Sequence, residues 1–93
     1  MKSVIFQKAI KNRNKIRMLY KLNEIVVEPY YVTMNRNGKK VVYGRICNSN
    51  KVEMLEFDKI LNIKMLEKLK FYPLIPIISQ YNWLEGGLYG KHK

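Results

Sequence analysis

The chain has 93 residues, is 47% hydrophobic with seven Tyr, three Phe and one Trp, and carries 18 Lys and Arg against 7 Asp and Glu, a formal net charge of +11. This length holds one small domain, the apolar content excludes an intrinsically disordered chain, and a single cysteine, Cys47, excludes an intramolecular disulfide. The longest apolar run, residues 71–78, holds two prolines and falls far short of the about 20 apolar residues of a membrane helix, so no membrane span is expected.

Phe6-Gln7-Lys8 interrupts the only apolar start, so a signal peptide is not expected either, and the reading is a cytoplasmic protein. A domain of this size buries only about 60–65% of the surface its unfolded chain exposes. Self-association into a homodimer would add stability and is expected.

In chain order, Ser3 is placed to cap a short helix whose apolar stripe is Ile5, Phe6, Ala9 and Ile10, and either Asn12 or Asn14 can end it. From Lys15 the period becomes two: Ile16, Met18 and Tyr20 alternate with Arg17, Leu19 and Lys21, which predicts a half-buried strand. Leu22-Asn23 reads as a turn. The β-branched and aromatic run from Glu24 to Met34 predicts a second strand, in which Pro29 marks an edge, a bulge or a bend because it cannot donate to a ladder. Asn37-Gly38 is a strong hairpin signal and leads into a strand from Lys39 to Ile46.

A polar turn from Cys47 to Lys51 then precedes strand positions Val52, Met54, Leu55 and Phe57. The run from Ile60 to Leu66 suits a last strand or a short helix, with a strand favoured. The expected fold is mainly β: a small five-stranded SH3/Sm-like barrel with an N-terminal helix over residues 1–71, then a C-terminal extension over 72–93 that docks on the barrel or on a partner. Tyr81, Trp83 and Leu88 are the aromatic and aliphatic anchors of that extension.

This order of features resembles the WYL domain family over roughly residues 5–71. The residues that carry it are Ala9-Ile10 at the helix end, a strand ending in Tyr20, Val27-Glu28-Pro29-Tyr30, Asn37-Gly38, Gly44, and a closing Phe71. Leu55-Glu56-Phe57-Asp58-Lys59-Ile60 is similar to the family's Phe-Arg-Leu-Asp-Arg-Ile segment, with one positive charge kept at Lys59 and one reversed at Glu56. The family's naming triad falls on Lys40, Val41 and Val42. The resemblance implies a bacterial regulatory module with a five-stranded barrel that senses a ligand or binds nucleic acid, here without the DNA-binding domain to which such modules are usually fused.

Enzyme chemistry finds little support in the residue inventory. The only histidine, His92, is the penultimate residue, so Cys47 between Arg45 and Lys51 has no evident general base, and Cys47 equally suits packing at a strand end. Glu53, Glu56 and Asp58 are closely spaced, but no acid is followed two residues later by Lys, as a nuclease of the restriction type would require. No cofactor, metal or catalytic residue is therefore expected.

The positive features are basic. No acid precedes Glu24, whereas Lys2, Lys8, Lys11, Arg13, Lys15, Arg17 and Lys21 all do, a block that would steer polyanions to one end of the molecule. On strands, Lys15 with Arg17, and Lys39 with Tyr43, are face-mates. Tyr20, Tyr30, Tyr31 and Tyr43 fit either stacked bases or half-buried sheet positions. Arg45 with Lys59 is the expected anion-binding pair, and Tyr43, Arg17, Lys15, Arg13, Lys39 and Lys40 complete the expected binding face. The functional expectation is a regulatory module that recognises nucleic acid or a small anionic ligand. The alternative is a protein-interaction module or inhibitor aimed at an acidic or nucleic-acid-binding site on a protein partner.

Overall fold

The computed structural model describes residues 2–49 and 51–73. One helix, α1 (Lys2–Asn12), precedes five strands: β1 (Asn14–Tyr20), β2 (Asn23–Met34), β3 (Lys40–Ile46), β4 (Val52–Glu56) and β5 (Ile60–Lys70). All pairings are antiparallel, and the strands lie in the order β4-β3-β2-β1-β5 in one open sheet. The mainly-β architecture with an N-terminal helix is as expected, while the hydrogen-bonded ladder ends at β4 on one side and β5 on the other. A 3-10 turn, Phe57–Lys59, joins these two edge strands. At that corner the Tyr20 hydroxyl accepts a bond from the Glu56 N–H (3.1 Å), and the Lys21 N–H donates to the Lys59 carbonyl (3.1 Å).

α1 lies against the inner face of the sheet because its apolar stripe is continuous. Phe6, Ala9 and Ile10 are buried and pack with Ile16 and Met18 of β1, Val27 and Val32 of β2, Val42, Leu55 and Ile60. Phe57, expected in a strand, instead sits in the 3-10 turn, with its ring 5.3 Å from that of Phe6. Ser3 does not cap the helix, which is already under way at Lys2; its hydroxyl accepts a bond from Lys40 Nζ (3.2 Å). At the other end Asn12 closes the helix, Arg13 takes φ 59°, and Asn14 opens β1. Buried Asn14 donates through Nδ2 to the carbonyls of Leu66 and Glu67, which satisfies the amide and ties β5 down where its pairing with β1 shifts register.

Pro29 lies at a bulge between Pro29 and Tyr31, past the last β1 partner of β2, so its missing N–H removes nothing from the β1 ladder. The β1–β2 turn centres on Lys21-Leu22, one residue earlier than expected. At the next turn the Asn35 carboxamide oxygen accepts bonds from the N–H groups of Asn37 and Lys39, and Gly38 takes φ 78°. The run beginning at Ile60 is a strand and not a helix, because its backbone finds a partner in β1 from Tyr20 to Asn14. Among the described residues no helix is long and apolar enough to cross a membrane. Tyr81, Trp83, Leu88 and His92, with most of the expected C-terminal extension, lie outside the described residues.

Candidate nucleic-acid interface

Arg45 and Lys59 do not meet. In the β3–β4 register Arg45 stands opposite Val52, at the start of β4, whereas Lys59 follows Glu56 at its other end. Each cation is engaged locally. Arg45 forms a bidentate pair with the Glu28 carboxylate and donates to the Ser49 carbonyl, and the Tyr30 hydroxyl donates to the same carboxylate at 3.1 Å. The Glu28 side chain is only 5% exposed, so Arg45 neutralises a carboxylate that would otherwise be stranded. This bond with Glu28 raises the Arg45 pKa above its ordinary value. Lys59 Nζ lies 3.0 Å from Glu56, whose hydrogen bond likewise raises the lysine pKa.

The other expected residues divide by what they touch. Lys39 pairs with Asp58 at 3.4 Å, Lys40 with Ser3, and Arg13 donates to the Ile10 carbonyl at 3.3 Å. Tyr43 stacks on its cross-strand neighbour Tyr31, ring centroids 4.9 Å apart. Lys15 and Arg17 alternate with buried Ile16 and Met18, which places them on the outer face of β1. Arg17 reaches Glu24 at 3.5 Å, but both side chains are largely exposed, and such a pair is weak and readily exchanged for another anion.

The structure adds residues that the linear reading left out. β5 pairs with β1 so that Lys64 stands directly opposite Arg17 and Lys70 opposite Asn14. Lys70 Nζ donates to the Asn12 carbonyl (3.0 Å) and lies 3.4 Å from Asn14 Oδ1, while the Phe71 N–H donates to the Arg13 carbonyl (3.0 Å). The end of β5 is thereby fastened to the α1–β1 junction. Lys15, Arg17 and Lys64 then form a basic strip on the outer face of β1 and β5, and Lys70 sits at the end of the strand pair, on the Asn14 side of the α1–β1 junction. A shallow groove beside the strip is lined by Arg17, Leu19, Glu24, Asn62 and Lys64. The lysines of β5 are visible in the sequence, but a β1–β5 register shifted at two points hides that Lys64 is the one that faces Arg17.

Among the described residues no three His, Cys, Asp or Glu side chains gather as a metal site would require. Glu56 and Asp58 are engaged by Lys59 and Lys39. Comparisons with protein-family models, with curated proteins and with solved structures find no match for this chain.

Proposed function

We propose that this chain is a non-enzymatic binding module that recognises nucleic acid through phosphate contacts along the outer face of β1 and β5. The observation that carries this reading is the register that sets Lys64 against Arg17, which shares its face of β1 with Lys15, so that cations far apart in sequence come to lie on one surface. Phosphates spaced along a chain suit a strip of cations better than they suit a pocket, and each neutralised phosphate releases condensed counterions. A small anionic ligand would be better served by a convergent site, and Arg45, the strongest sequence candidate for one, is occupied by Glu28.

An SH3/Sm-like arrangement is supported by five antiparallel strands, a short 3-10 corner and a helix against the inner face. The WYL resemblance supports the same functional direction from the order of its sequence segments alone.

The test is equilibrium binding of the full chain to a short oligo-dT at a series of salt concentrations. Affinity should fall steeply with salt. In a variant carrying Lys15→Gln and Lys64→Gln, the log-log slope should shrink by about 1.4, at about 0.7 per phosphate contact on a single strand. If the wild-type chain binds neither DNA nor RNA at about 50 mM salt, the reading is wrong.

A further inference from the structure

The basic strip accounts for phosphate but not for the choice between single and double strands, and one exposed ring bears on that choice. Of the five tyrosines among the described residues, four already serve the fold. Tyr20 accepts a bond from the Glu56 N–H, Tyr30 is buried with its ring 5.8 Å from Phe71, and Tyr31 stacks on Tyr43. Tyr72 differs, because it is 93% exposed. It follows Lys70 and Phe71, and the bond from the Phe71 N–H to the Arg13 carbonyl holds this stretch of chain against the α1–β1 junction. An almost fully exposed aromatic ring is thus anchored, one residue away, at the end of the β1–β5 pair where Lys70 meets the α1–β1 junction.

We propose that Tyr72 is a base-stacking platform, and that the ligand class of the basic strip is single-stranded nucleic acid. This inference rests on the proposed phosphate-binding surface and adds to it the means of telling strands apart. A base in a duplex is stacked on both sides and offers no face to an isolated ring, whereas an unpaired base does. Cations along β1 and β5 hold the backbone, and the ring takes one base at the strip's end. Because every base has a π-face, such a contact favours single strands without selecting a sequence.

The experiment measures binding of the full-length chain to a ten-nucleotide oligo-dT and to a ten-base-pair duplex across the same salt series. Tyr72→Ala should weaken oligo-dT binding between about fivefold and about a hundredfold, as expected for loss of one stacked base. The salt slope should stay unchanged, since no phosphate contact is removed. Tyr72→Phe should retain wild-type affinity, and duplex affinity should be the same in all three proteins. Stacking is refuted if Tyr72→Ala leaves oligo-dT affinity intact, or if it weakens duplex and single strand equally. That result with a reduced slope in the lysine variant would remove only the stacking platform. An unchanged slope in the lysine variant would remove the basic surface itself, and the stacking proposal with it. Unfolding curves provide the control, because a ring exposed this far contributes little to stability.

Discussion

Lys21 and Leu22 form the centre of the two-residue β1–β2 turn, and both adopt the left-handed backbone region, with φ of 51° and 68°. This geometry matches the twist of the flanking strands, but it normally calls for Asn or Gly, because a Cβ in that region costs about 1–2 kcal/mol per residue. Leu22 is 78% exposed, so its side chain offers no packing in return. Leu22→Gly should therefore stabilise the fold by about 1 kcal/mol, seen as a melting temperature higher by about 4–8 °C. Arg45 illustrates the opposite case. Arg45→Ala leaves the nearly buried Glu28 carboxylate without its cation and should cost about 3–5 kcal/mol in denaturant unfolding. Adding Glu28→Gln should recover part of that loss by removing the stranded charge. Neither the strain at Leu22 nor the engagement of Arg45 is legible from composition, since both depend on which residues the register sets opposite one another.

At the scale of elements, the β2–β3 hairpin shows two different reasons for a glycine. Gly38 has open space around it but φ 78°, while Gly44 sits where an added Cβ would strike the Glu28 carbonyl oxygen and lie 3.0 Å from Val27 Cγ1 and 3.1 Å from Pro29 Cα. Gly38→Ala should cost about 1–2 kcal/mol through backbone strain alone. Gly44→Ala should cost more, about 3 kcal/mol, because the atoms in the way are largely backbone and cannot swing aside. Thermal unfolding of the two variants side by side checks the order. The Asn37-Gly38 turn was readable from sequence because a tight turn limits the residues that can form it. The fate of the segment from Ile60 was not, since a short apolar run suits helix and strand alike until a partner strand is present. The Phe57 turn followed from the same cause: the chain must cross from one edge strand to the other, and the buried Phe57 ring seals that corner against Phe6.

For the molecule as a whole, a formal charge of +11 on 93 residues makes salt act in two opposite directions. Screening relieves repulsion among like charges, so the unfolding free energy should rise as salt increases from about 0.01 M to about 0.3 M, where the Debye length falls from about 30 Å to less than 8 Å. Under the proposed function, nucleic-acid affinity should fall over the same range. Parallel denaturant titrations and binding isotherms at matched salt would separate the two effects, and a stability that falls with salt would contradict the first. The amino-acid order by itself determined the helix and its apolar stripe, the alternation that makes β1, the β-branched and aromatic run of β2, the Asn-Gly turn and the basic character of the first 23 residues, because all of these are local in sequence. Only the tertiary structure decided which charges are paired and which stay exposed. Pairing strands brought Glu28 to Arg45, Glu56 stayed within reach of Lys59, and the sequence-distant Lys64 and Lys70 of β5 came to lie opposite Arg17 and Asn14. A side chain's availability depends on its neighbours across the sheet, and those are set by register.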